Sequence, residues 1–270
     1  MLIYAEKNIV GNDKNIRFKN VGWVNVVHRG YNARATMNTI EAFYEGLLDN
    51  CPAFECDVRE TSDGILVLSH DETITGVSDN TGERVTLRID TSTYEQLKDL
   101  TLMTSSIYGK IKIPTLDETL TFAYYHNMIV AIDMKTGSTS YSKIAESVIR
   151  NGMSGKCQYN TNSSDITIAK NLLLVDPKAS FHFAYTDDIS TKFNDLNVID
   201  KSKIIITLSA DTMSNERMDN IRKLGFTSYI WNINNNTYKT AISYRPDFLE
   251  FVTGVSAAPL DKQTLDNVNF

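Results

Sequence analysis

Long hydrophobic runs, cysteine and positive net charge are all scarce in this 270-residue chain, and each shortage removes a class of function. No apolar run approaches the roughly 18 residues that a membrane-spanning helix needs, so no transmembrane segment is expected. The opening MLIYAEKNIVGNDKN reaches Glu6 and Lys7 before an apolar stretch of signal-peptide length can form. No secretory or transit segment is therefore expected within this chain. Three cysteines, Cys51, Cys56 and Cys157, are too few and too scattered for a disulfide framework and lack zinc-finger spacing, so reduced thiols are expected. The net charge of −6 carries no basic stripe interleaved with aromatics, which argues against nucleic acid as a partner. An anionic ligand would have to be met by local cations. There is no internal repeat, no low-complexity tract and no Gly-rich dinucleotide fingerprint.

What is present is ordinary globular material, 42% hydrophobic and 22% charged, enough for one large α/β barrel or two small domains. Short β-branched or aromatic runs alternate with longer segments of helical spacing. The pattern predicts strands at Trp23–Val27, Ala53–Arg59, Ile129–Lys135, Lys156–Tyr159, Ser180–Tyr185, Lys203–Thr207, Phe226–Trp231 and Asp247–Val252. Helices are expected at Thr39–Asp49, Thr115–Tyr125, Ser140–Asn151, Asp165–Leu174, Asn215–Leu224 and Thr237–Ser243. Eight strands in strand-then-helix order imply parallel pairing and favour a (β/α)8 TIM barrel over a doubly wound sheet. The expected barrel covers residues 22–256, with a polar extension at 1–21 and a tail at 257–270. A polar segment at 71–113, with only Tyr94–Leu102 of helical character, reads as a rim insertion after the second strand.

The chemistry-bearing residues cluster at predicted strand ends. The first strand stops on His28, Arg29 and Gly30, where a titratable imidazole beside a permanent cation is an unusual terminus. In AFECDVRE the alternation places Glu55 and Asp57 on one face, opposite Phe54, Cys56 and Val58. IVAIDMK repeats the device with Asp133 and Lys135, and LVLSHDE ends a further apolar run on His70 and Asp71. Inside a barrel, close carboxylates repel unless a cation neutralises them, and oxygen donors suit a hard divalent ion such as Mg²⁺ or Ca²⁺. Two histidines, Arg29 and Lys135 around such an ion suit acid–base chemistry on an anion, with a phosphate diester the best fit.

Taken in order, HRG, NTIEAF, ECDV with TSDG, HD, IPTLDETL and IDMK resemble the glycerophosphodiester phosphodiesterases, as do SYIWNINN and PDFLEFVTG further on. The resemblance implies a (β/α)8 barrel with an insertion after its second strand. It also implies cleavage of glycerophosphodiesters to an alcohol and glycerol 3-phosphate, with one Mg²⁺ or Ca²⁺ ion and a cyclic phosphate intermediate. Carried over by position, it makes His28 and His70 the acid–base pair, and Glu55, Asp57 and Asp133 the metal ligands. Arg29 and Lys135 become phosphate contacts and Trp231 a wall of the substrate pocket. Two positions depart from the family pattern: Met37 replaces the usual glutamate before Asn38, and Asp133 replaces the usual third glutamate.

Asp133 followed two residues later by Lys135 also resembles the toxin-like phospholipases D, which stop at a cyclic phosphate. A non-catalytic module of a surface or phage-tail protein is the alternative of another class, and teichoic acid is a candidate polymeric substrate. The expected location is the cytoplasm or a larger surface or phage protein. His126 is expected at a helix C-terminus as a dipole partner. His182 alternates with aromatic neighbours and could face the lumen.

Overall fold

A computed structural model describes residues 23–252, apart from 33–34, 50, 136–139, 161–165, 188 and 190–198. The two terminal segments set apart above therefore fall outside the described residues. All eight expected barrel strands form, with ends shifted by a residue or two. They are β1 (Val24–His28), β2 (Ala53–Glu60), β9 (Ile129–Met134), β10 (Cys157–Asn160), β11 (Ser180–Ala184), β12 (Ile204–Ser209), β13 (Thr227–Ile233) and β14 (Phe248–Phe251), numbered in chain order with the insertion strands between β2 and β9. Every pairing among the eight is parallel, and β1 pairs with both β14 and β2, so the barrel closes.

Period two sorts the side chains. Outward residues such as Phe54, Cys56, Val58, Val130 and Ile132 enter the main core against the helices, while Val26, Ala53, Ile205 and Tyr229 form a small cluster within the lumen. The helix Ile40–Leu48 shows the logic. Thr39 caps it by accepting from the Ala42 amide, and its apolar face seats Phe43 on Phe54 with ring centroids 3.9 Å apart. Burying Phe43 completely contributes about 2–3 kcal/mol of transfer free energy.

The insertion corrects the expectation of a mostly irregular loop. Just before it, β3 (Leu66–Leu68) runs antiparallel to the end of β2, and the insertion itself folds as a sheet of β4 (Thr73–Ser78), β5 (Arg84–Arg88) and β6 (Leu100–Thr101), then a hairpin of β7 (Met103–Ser105) and β8 (Gly109–Ile111). The expected helix is confined to Tyr94–Lys98, whose capping box joins Thr93 to Gln96. Thr and Arg fill the exposed positions of TITGVS and RVTLR apart from Val77, so the few inward apolar residues make a weak strand signal. Those residues still find a core of their own in Val67, Ile89, Leu97 and Ile113. The hairpin in turn docks on the barrel: Ile111 packs with Ala35 and Ala42, and Tyr108 donates its hydroxyl to the buried Glu45.

Candidate active site

The C-terminal ends of β1, β2 and β9 meet because backbone ladder bonds run past the strands themselves. Arg29 N donates to Glu55 O, Ser69 N to Asp57 O and Lys135 N to Val58 O. The chain leaves β1 through two left-handed residues, Arg29 (φ 57°) and Gly30 (φ 82°). At Gly30 a Cβ would stand 2.6–2.7 Å from Ala42 atoms, so only glycine fits this turn against the first helix. The turn leaves His28 facing the lumen, and Asn38, a third left-handed residue (φ 58°), returns to it.

Six of the expected residues form one network. Arg29 Nε lies 2.9 Å from Asp57 Oδ2, Lys135 Nζ 2.7 Å from Asp133 Oδ2 and 3.4 Å from Asp57 Oδ1, and the Arg29 amide donates to Glu55 Oε2 at 3.1 Å. His28 Nε2 faces Glu55 Oε2 at 3.6 Å. Burial, with Asp57, Glu250 and Asp133 nearby, raises the Glu55 carboxyl well above its usual range. Burial and the adjacent Arg29 hold His28 down to about 4. Burial opposes the charge on Lys135, but its contacts with Asp133 and Asp57 prevail and raise its pKa.

His70 is more exposed. Its Nδ1 lies 2.8 Å from Asp71 Oδ1, and its carbonyl accepts from Arg59 Nε and Nη2 at 3.2 and 2.7 Å. The Ser69 amide on the Asp57 carbonyl and Arg59 on the His70 carbonyl place His70 beside the C-terminal end of β2. Trp231 lies outside the ion-pair network among the described residues. It is 45% exposed near the end of β13, opposite Ser209 of β12.

Three residues of the site carried no expectation. Asn38 clamps Asp57, donating Nδ2 to Oδ2 at 2.8 Å and accepting from the Asp57 amide at 3.1 Å. Its place in the NTIEAF motif was the available signal. Arg59 shares the inward face of β2 with Glu55 and Asp57 and anchors the His70 loop. Glu250, buried on β14, stands 3.8 Å from His28 Nε2. Its signal was the alternation of FLEF, in which Leu249 and Phe251 enter the core and Glu250 does not.

Met37, the first departure from the family pattern, puts its sulfur 3.9 Å from Arg29 Nη1, a far weaker acceptor than a carboxylate. His126 does stand at the C-terminus of the helix Leu116–Tyr125, where burial lowers its pKa and its ring packs on Phe122. His182 does face the lumen. There it is buried, bonds Gln158 Oε1 through Nε2 at 2.9 Å, and is pushed down to about 3 by burial. The three cysteines are free and buried.

The donors of Glu55, Asp57 and Asp133 lie within 4.8 Å of one another, close enough to converge on one hard cation. Asp57 Oδ1 is buried and accepts no well-formed hydrogen bond, its cationic neighbour being Lys135 Nζ at 3.4 Å. Counting Glu250, four carboxylates gather here around Arg29 and Lys135, with Arg59 engaged on the His70 carbonyl, an excess of acid that a bound cation would offset.

Comparison with known proteins places the fold and the family. The chain is 32% identical over 114 residues to "Glycerophosphodiester phosphodiesterase 1" of Homo sapiens, a match covering 41% of this chain and 33% of that relative, so the chain spans only about a third of its length. A putative glycerophosphoryl diester phosphodiesterase from Silicibacter pomeroyi superposes with a TM-score of 0.72 at 18% identity, over 90% of this chain and 93% of that one. An Oleispira antarctica phosphodiesterase solved in complex with the product sn-glycerol-3-phosphate superposes at 0.69 and 16% identity, over 90% and 96%. The sequence profile described as "Glycerophosphoryl diester phosphodiesterase family" matches residues 28–249, from the histidine that ends β1 into β14, and the chain therefore belongs to that family.

Proposed function

We propose that this chain hydrolyses glycerophosphodiesters to an alcohol and glycerol 3-phosphate with the help of one divalent ion. The observation that carries the reading is the convergence of His28, Arg29, Glu55, Asp57, Asp133 and Lys135 at one end of a barrel of this family. Glu55, Asp57 and Asp133 would hold the ion; when bound, it would offset charge on the phosphoryl oxygens. Arg29 and Lys135 would bind the remaining phosphoryl oxygens, and Trp231 would wall the substrate.

The two histidines differ in a way that suits two roles. His28, held neutral by burial, takes the proton of the glycerol 2-hydroxyl as that oxygen attacks phosphorus. His70, more exposed and fixed through Nδ1 by Asp71, gives a proton to the departing alcohol. Water then opens the five-membered cyclic phosphate with the two roles exchanged, so protons balance over the cycle. A second reading rests on the Asp133–Lys135 pair: an enzyme of phospholipase D-toxin type would stop at the cyclic phosphate.

The test is release of glycerol 3-phosphate from a panel of diesters, including a poly(glycerol phosphate), with Mg²⁺, with Ca²⁺ and with chelator. Turnover restored by the metal after chelation is expected. Full turnover in chelator would remove the metal from the proposal, and no product from any diester would remove the activity.

A further inference from the structure

Glu250 is the one carboxylate of the site that the metal trio does not use, and its surroundings make it more than a filler. Because β1 pairs with β14 on one side and β2 on the other, His28 is flanked by Glu250 at 3.8 Å and Glu55 at 3.6 Å, both measured from Nε2. Once Glu55 is committed to a cation, Glu250 is the carboxylate left facing the imidazole.

Glu250 has a polar neighbour in Tyr229. The Tyr229 hydroxyl, fully buried, stands beside its carboxyl without completing a well-formed hydrogen bond. The Tyr229 ring is gripped between Phe248, 5.7 Å away and stacked, and His182, 4.7 Å away, and His182 is tied to Gln158. Gln158, His182, Tyr229 and Glu250 thus follow one another across the lumen from β10 to β14, beside His28, with one hydrogen bond, Gln158 to His182, among them. Apolar side chains would fill this layer at lower cost, since a carboxyl taken out of water loses several kcal/mol of hydration. Glu250 also lies in the same lumen as the acids of the trio, where its charge adds to their repulsion. An expense of this kind at a barrel floor points to orientation of a neighbouring group.

We propose that Glu250 is a positioning residue for His28, keeping the imidazole turned with Nε2 toward the lumen, and that the buried Tyr229 limits where the Glu250 carboxyl can lie. The inference rests on the catalytic reading of His28 but is testable apart from it. In the Mg²⁺-loaded full chain, Glu250→Leu should lower kcat for glycerol 3-phosphate release by about tenfold or more, with KM and half-saturating Mg²⁺ nearly unchanged. Glu250→Gln keeps an oxygen acceptor and should recover most of that loss. In a His28→Ala background, Glu250→Leu should cost nothing further, because the two residues act as one unit.

The readout that needs no substrate is the long-range ¹⁵N–¹H NMR spectrum of the histidine rings. Glu250→Leu should move the His28 ring nitrogens and leave those of His70 and His126 in place. If Glu250→Leu does not fold, Glu250→Gln and Tyr229→Phe carry the same measurements, with smaller shifts of the same His28 signals expected. Additive losses with His28→Ala, or His28 signals that ignore Glu250, would overturn the proposal. A weakening of Mg²⁺ binding by more than about tenfold in Glu250→Gln would overturn it too, by making Glu250 a ligand. An inactive wild type whose His28 signals still respond to Glu250 would retire the activity and keep the positioning.

Discussion

Metal binding should show itself as stability before it shows as turnover, because the described site gathers four carboxylates at one end of the barrel. Two like unit charges about 4 Å apart repel by roughly 4 kcal/mol at an effective dielectric constant near 20, so the ion-free site is under appreciable strain. An ion that binds only the folded chain adds about 2.7 kcal/mol at one hundred times its Kd. For a domain of this size that corresponds to a rise of roughly 5–10 °C in Tm. The perturbation is Asp133→Asn, chosen because Lys135 keeps Asp57 as a partner at 3.4 Å while the trio loses one charge. A tenfold weaker Kd removes about 1.4 kcal/mol, so the shift at the same Mg²⁺ or Ca²⁺ concentration should shrink by roughly 3–5 °C. The sign of the pH dependence follows from the raised pKa of Glu55 and Glu250, both caused first by burial. Such groups add stability below the ordinary carboxyl pKa and lose it as pH rises through the folded value, so the ion should rescue more at about pH 8 than at about pH 5. Differential scanning fluorimetry with metal and chelator at both pH values is sufficient. A wild-type Tm indifferent to both ions, or a shift undiminished in Asp133→Asn, would refute the reasoning.

Further outcomes follow from the same geometry. His28→Ala and His70→Ala should each lower turnover by about 100-fold or more while leaving the circular dichroism unchanged, and near-native rates in either would remove that residue from the acid–base pair. His182, held near 3 by burial against an ordinary 6.5, stabilises the fold fully above pH 6.5 and progressively less below it, because the unfolded chain takes up the proton first. Urea unfolding should therefore show the wild type losing about 2 kcal/mol relative to His182→Gln between about pH 7 and pH 5, and parallel curves would contradict that assignment. Phosphorus NMR of a glycerophosphodiester digest should show a cyclic phosphate only in passing, with glycerol 3-phosphate as the end product. A cyclic species that accumulates and persists would decide for the toxin-like reading.

The barrel was legible because its strands obey local rules. Outward Phe54, Cys56 and Val58 against inward Glu55 and Asp57 can be read in eight residues, and the same period exposed Asp133 and Lys135. The insertion was less legible: TITGVS and RVTLR alternate, but with so few apolar inward residues that composition alone reads as loop. Glu250 and Asn38 escaped for a different reason. One acid in a four-residue strand resembles a solvated edge until the barrel closes and sets β14 beside β1. Asn38 matters only through Asp57, 19 residues away, and through a left-handed backbone that no local pattern announces.

That backbone ties the turn to the chemistry. Arg29 and Asn38 both sit at positive φ, a conformation that side-chain-bearing residues adopt at a cost of order 1 kcal/mol each, and both put their side chains on Asp57. A relaxed turn would swing the Arg29 guanidinium and the Asn38 amide away from the carboxylate they hold. The packing that resists this is visible: Gly30 lies directly against Ala42, the Tyr31 amide donates to the Ala42 carbonyl, and the Asn38 amide donates back to the Arg29 carbonyl. The helix Ile40–Leu48, itself anchored by Phe43 on Phe54, is thus the support on which the strained loop rests. Loss of packing at Ala42 would reach Asp57 through the loop, although no atom of Ala42 belongs to the site.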